Sequence, residues 1–160
     1  MPVWPNTTVH SQKKNKIPCS KKKPTCLKKP SDNYVSQDSY LQYSPVWRFD
    51  FIDLQGPWGW LNVESKDKIQ DILEKLQNFE KLTWEEIKKN KKCNHEISIE
   101  QISKKARDRL IEIKKDDLEE IFSLRLSGKN RVFGVLEDGI FYIIWWDPNH
   151  KVCDSELKHT

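Results

Sequence analysis

The sequence predicts an α+β domain behind a basic, disordered N-terminal tail, and three observations carry that reading. Residues 1–30 hold eight lysines and no acidic residue, which leaves 20 basic against 24 acidic side chains in the rest of the chain. The C-terminal third reads as three short β-rich runs separated by turn signals. Between tail and runs lie segments whose apolar residues recur every three or four positions, the spacing of one helix face. An order of strand, helices and then a three-stranded antiparallel meander implies helices packed on one face of a small sheet.

Met1–Ser44 is rich in Lys, Pro, Ser, Thr and Asn and has no period, so it reads as a disordered tail, and the domain spans 45–160. The tail's charge predicts attraction to phosphate; a solvated arm with no fixed partner is the plainer alternative. Val46–Leu54 alternates, with Trp47, Phe49 and Phe51 on one face and Arg48 and Asp50 on the other, which predicts a half-buried strand. Gln55–Leu61 is a loop whose tryptophans, Trp58 and Trp60, either pack over a sheet edge or form a stacking platform for bases.

Ser65 is an N-cap for a helix with Ile69, Ile72, Leu73, Leu76 and Phe79 on its apolar stripe, running to about Lys81. Thr83-Trp84-Glu85-Glu86 fits a capping box and opens a short second helix to about Lys89. Asn90–His95 reads as a basic loop. Ser98 and Gln101 form another capping box, ahead of a third helix with inner stripe Ile102, Ala106, Leu110 and Ile113. Lys104, Lys105, Arg107 and Arg109 occupy its other faces.

The meander follows Asp116-Asp117. Ile121–Leu126 runs to the turn Ser127–Asn130, Arg131–Leu136 to Glu137-Asp138-Gly139, and Ile140–Trp146 to Asp147-Pro148-Asn149. The Asp-Gly pair is a strong hairpin signal because a tight primed turn needs positive φ. The last strand is apolar on both faces, with Tyr142, Ile144 and Trp146 on one and Phe141, Ile143 and Trp145 on the other. Such a strand lies inside its sheet under a cover on each side.

Several classes are disfavoured. The longest apolar run, Gly139–Trp146, is far short of the roughly 20 residues of a spanning helix. The N-terminal lysines are not followed by the apolar stretch of a secretory signal. Cysteines at 19, 26, 93 and 153 are too sparse for a disulfide framework. A reducing, cytoplasmic setting with no membrane partner is the expectation.

Arg125 and Arg131 flank the first meander turn with Lys129 between them. Alternation sets Arg125 opposite Phe122, Leu124 and Leu126, so it is either a cleft residue or a rim charge paired with Asp116–Glu120. His150 titrates near neutrality and suits general acid or base chemistry, or it bonds a loop carbonyl. Asp147-Pro148 also fits a turn start. Cys93-x-His95 and His150-x-x-Cys153 supply four zinc-type side chains, but neither pair has a standard knuckle spacing, so no metal or other cofactor is expected. Nothing matches a phosphate loop, a dinucleotide fingerprint or a nucleophile elbow.

The element order, and above all Leu124–Val152, resembles the RelE/ParE superfamily of bacterial toxins, a small fold with two helices before a β-meander. LRLSG, a basic residue and then RVFGVLEDGIFYIIWWDPNHKV are similar to that family's Leu-x-Gly turn, Arg-Val strand, apolar last strand and C-terminal His. Trp47–Thr160 also resembles a bacterial group ending in WWDPxH and KHT, here Trp145–His150 and Lys158–Thr160. The resemblance implies a metal-independent endoribonuclease acting on messenger RNA, often at the ribosome, and neutralised by a cognate antitoxin. By position it implies catalytic roles for Arg125, Arg131 and His150, and RNA contacts for Lys129, Arg107 and Arg109. This chain departs from the family in its basic extension, in a short helix around Trp84, and in DPNH where His-Arg or His-Tyr is usual. The ParE branch poisons gyrase without nuclease residues. A non-catalytic interaction protein, such as a gyrase inhibitor or a mobile-element accessory protein, and a nucleic-acid-binding module are therefore the alternatives.

Overall fold

A computed structural model describes residues 39–153. Most of the expected tail and the C-terminal KHT lie outside the described residues. The elements are β1 (Val46–Arg48), α1 (Lys66–Phe79), α2 (Trp84–Lys89), β2 (His95–Ser98), α3 (Lys104–Glu112), β3 (Glu120–Ser127), β4 (Asn130–Glu137) and β5 (Ile140–Asp147), with short 3-10 turns at Ser39–Gln42, Trp60–Asn62 and Ile99–Gln101. They form an α+β domain around one five-stranded sheet of order β1-β5-β4-β3-β2, in which β1 alone runs parallel to its neighbour.

The meander forms with the expected turns. Asp138 and Gly139 both take positive φ, 48° and 84°, as a two-residue primed hairpin requires. Thr83 and Glu86 close the capping box of α2, and Ser65 caps α1 through the Lys68 N–H. On α1, Ile72 and Leu76 make the buried contact while Ile69 and Leu73 stay about half exposed.

Five expectations are corrected. The helices do not share one face. α1 and α2 cover one side of the sheet, around Phe122, Leu124, Phe141 and Ile143, and α3 covers the other, around Ile121, Phe133, Ile144 and Trp145. The strict alternation of β5 also fails. The register jumps from Phe133↔Trp145 to Gly134↔Ile143, leaving Ile144 as an extra residue, so Ile144 and Trp145 both join the α3 side while Phe141, Ile143 and Trp146 lie on the other. Gly134 permits this, because a Cβ there would meet the Tyr142 carbonyl at 2.3 Å and the Phe141 ring at 2.8 Å. Third, Asn90–His95 is not all loop, since β2 begins at His95 and pairs with β3. Fourth, Ser98 caps only the 3-10 turn, and Ser103 caps α3 through the Ala106 N–H. Fifth, Val46–Leu54 is a strand only to Arg48, after which the chain turns and places Phe51 on Tyr142, on the α3 side.

The turn after β1 delivers Asp53, 5 % exposed, under α3. Its carboxylate accepts from Nε and Nη2 of Arg109, both at 2.8 Å, from Trp145 Nε1 at 3.0 Å and from the Gln55 N–H. Burial pushes this carboxyl up, but the donors from Arg109, Trp145 and Gln55 outweigh it and hold Asp53 below the ordinary range. Beyond β1, the loop straddles the end of β5. Trp58 packs against Trp145 on one face and Trp60 against Trp146 on the other, the packed alternative for these rings. Ser39–Gln42, assigned to the tail by composition, also belongs to the domain. The Tyr40 hydroxyl accepts from Lys88, and the Tyr43 carbonyl accepts from the Trp84 N–H.

Trp145 and Trp146 are 0 % and 3 % exposed on opposite faces. Truncating either to Ala is expected to remove about 3–5 kcal/mol of stability in denaturant unfolding, with Trp145→Ala the worse because it also strips a donor from Asp53. Mild, equal losses would contradict a β5 buried on both sides.

Candidate functional site

The first meander turn brings Arg125 and Arg131 directly opposite one another in β3 and β4, and Asp147 of β5 is the next partner along the row. All three positions belong to the α3 side of the sheet, beyond the end of α3's apolar cover. Like charges facing across a strand pair repel. Neither guanidinium forms an ion pair among the described residues. Arg131, only 8 % exposed, donates to the carbonyls of Gly128 and Asn130 in its own turn. Arg125 donates to Cys93 Sγ at 3.1 Å. Its backbone N–H is met by the Asn94 side chain, which continues the pairing just where β2 stops.

Asp147 forms no ion pair with either guanidinium, although its charge partly offsets theirs at Arg131 and His150, because its oxygens are held by the loop that follows. Oδ1 accepts from the Asn149 N–H, and Oδ2 from the N–H groups of Lys151 and Val152. This is the Asx turn the Asp-Pro pair foretold. The loop is fastened at its far end by the Val152 carbonyl, which accepts from the Ser103 N–H at the start of α3. Between these anchors His150 adopts φ 57°, a left-handed backbone that His tolerates better than most residues.

The anchored loop aims His150 at the guanidiniums. Lys92, His95, Ile97, Gln101, Arg131, His150 and Cys153 line a cleft of about 230 Å³. Burial lowers the proton affinity of His150, and the positive charge of Arg131 lowers it further. Burial likewise lowers that of Arg131, with Arg125 adding to the effect. The cleft therefore presents fixed positive charge, a neutral imidazole and no unengaged carboxylate, which suits an oxyanion with ionisable or leaving oxygens.

The expected site is thus partly assembled. Arg131 and His150 line one cleft, and Arg125 lies opposite Arg131 in the register without lining it. Lys129 sits exposed at the turn tip and does not line the cleft. Arg107 and Arg109 are engaged elsewhere and make no open basic face. Arg107 donates to the carbonyls of Glu100 and Ile102, and Arg109 binds Asp53 and Glu112. Among the described residues no three metal-ligating side chains converge, the Cys93, His95, His150 and Cys153 set included. The guanidinium on Cys93 also sets a cation where a metal ion would bind. His95 is the cleft residue that spacing alone did not assign to this chemistry. Its signal was the short β-rich run HEIS opposite β3.

No protein-family model, curated protein or solved structure matches this chain.

The imidazole of His150 is expected to titrate below the ordinary value of about 6.5 in NMR spectra, and to move upward when inorganic phosphate is added, because an anion favours the charged ring. Since the folded value lies below the unfolded one, the unfolded chain takes up the proton first. Folding then loses stability as pH falls from about 6.5 towards the folded value. A midpoint at or above 6.5 that ignores phosphate would contradict this electrostatic picture.

Proposed function

We propose that the chain is a toxin of the RelE-like kind, an endoribonuclease that cleaves messenger RNA with its own side chains and is held in check by an antitoxin. The observation that carries the reading is the register pair Arg125↔Arg131, without an ion-pair partner among the described residues and close enough to His150 to lower its proton affinity. A bound phosphodiester relieves the repulsion of the two guanidiniums through bidentate hydrogen bonds. His150, held neutral, then accepts the proton of the substrate's own 2′-hydroxyl as that oxygen attacks phosphorus. The guanidiniums stabilise the charge that gathers on the phosphoryl oxygens in the transition state.

The strand, paired helices and closing meander support the family resemblance. β2 and α3 stand as an insertion before the meander, with α3 on the opposite face of the sheet. No helix among the described residues is long and apolar enough to cross a membrane. The half-exposed Ile69 and Leu73 on α1, and a small groove between Phe79, Leu82 and Leu126, give apolar area for a protein partner. The same area is what favours the non-catalytic interaction-protein reading if the cleft proves inert.

Induced expression followed by mapping of transcript ends tests the proposal. Wild-type protein is expected to cut transcripts. His150→Asn, which keeps the left-handed backbone accessible, is expected to lower cleavage about 10²–10⁴-fold while leaving the fold and RNA affinity in place. Arg125→Ala is expected to weaken both RNA binding and cleavage. Growth arrest with intact transcripts, or full toxicity in His150→Asn, would hand the assignment to the interaction-protein reading.

A further inference from the structure

His95 reaches the cleft from β2 and has no part in the chemistry above. It shares the α3 side of the sheet with Ile97, which is buried in that cluster, while Glu96 faces the other way and pairs with Lys88. Its register partner is Ser123, two residues from Arg125, which sets its backbone position about 7 Å along the strand direction from that of Arg125. It lines the same cleft as Arg131 and His150.

A histidine kept for structure has its shielded nitrogens bonded. His95 does not, since Nδ1 is sealed from solvent and has no hydrogen-bond partner among the described residues. Nothing fixes the ring as a brace, and with Nδ1 closed off, Nε2 is the nitrogen left to exchange a proton in the cleft. The charged and titratable groups that share its cleft are Lys92, Arg131, His150 and Cys153, and Arg125, Cys93 and Asp147 act on Arg131 beyond them.

We infer that His95 is a second catalytic residue of the cleft, the general acid that protonates the departing 5′-oxygen of the scissile phosphodiester. This rests on the ribonuclease reading and adds the half of the reaction that His150 cannot perform. His150 takes the 2′-hydroxyl proton as the 2′-oxygen–phosphorus bond forms. The phosphorus–5′-oxygen bond breaks with its electron pair going to oxygen, and that oxygen takes the proton from His95 Nε2. The products are a 2′,3′-cyclic phosphate and a 5′-hydroxyl end. His150 is left protonated and His95 neutral, and solvent restores both.

The test uses the full chain and two RNA oligonucleotides that differ in one atom, the bridging 5′-oxygen or a sulfur in its place. A thiolate leaves without a proton, so it removes the need for the acid and not for the base. His95→Ala and the bulkier His95→Gln are expected to slow the oxygen substrate about 10²–10⁴-fold yet cleave the sulfur substrate at close to the wild-type rate. His150→Asn is expected to be slow on both. Cleavage of the sulfur substrate also shows that the His95 variants are folded. Equal slowing of both substrates by the His95 variants would reduce His95 to a structural role, and unchanged rates on both would remove it from the reaction. If wild-type protein cleaves neither substrate, the ribonuclease reading itself fails, and His95 with it.

Discussion

The carboxylate of Asp53 is the interaction on which the α3 side of this molecule depends. It joins three separate parts of the chain: the turn after β1, α3 through Arg109, and β5 through the indole of Trp145. Carboxylate and guanidinium are both largely withdrawn from water, so removing one leaves the other buried and uncompensated, a change worth about 3–5 kcal/mol. The bulge at Ile144 is the second half of the same device. It turns Trp145 to the Asp53 side while leaving Trp146 with α1 and α2. Once α3 is fixed there, Ser103 at its start holds Val152, and the loop bearing His150 has its far anchor.

The cleft inverts that logic. Around Asp53 opposite charges meet and each donor finds an acceptor. At Arg125 and Arg131 like charges meet, and the one adjacent carboxylate, Asp147, is engaged by the backbone of its own loop. Repulsion of this kind opposes folding and persists only where the rest of the domain over-determines the geometry. Here β4, covered on both faces, and the anchored 147–152 loop supply that excess. On the reading proposed above, an oxyanion seated between the two guanidiniums would return that free energy as binding affinity.

Much of the fold was legible in the sequence because its signals are local. The Asp138-Gly139 turn, the Ser65 cap and the Thr83–Glu86 box depend on residues within four positions of one another, and each forms as read. The side of the sheet each helix covers is not local. Nothing near Ile102 or Leu110 tells that α3 lies opposite α1, since that follows from Asp53, more than fifty residues away, finding Arg109. The bulge left one trace, a glycine inside the strand at 134, which is how a bulge or close backbone approach commonly shows itself. At the site, the turn placed Arg125 and Arg131 as neighbours, and His150 was joined to them only through the family resemblance. The engagements of Arg107 and Arg109 were not legible because sequence shows a charge but not its partner, and theirs are two backbone carbonyls, the buried Asp53 and Glu112.

The central claim is that this cleft cleaves RNA through the substrate's own 2′-hydroxyl. The most direct measurement is mass spectrometry of the ends formed when purified protein meets a defined RNA oligonucleotide in the presence of a chelator. The account predicts 2′,3′-cyclic phosphate and 5′-hydroxyl ends. An RNA left intact, or ends bearing a 5′-phosphate and a 3′-hydroxyl, would contradict it.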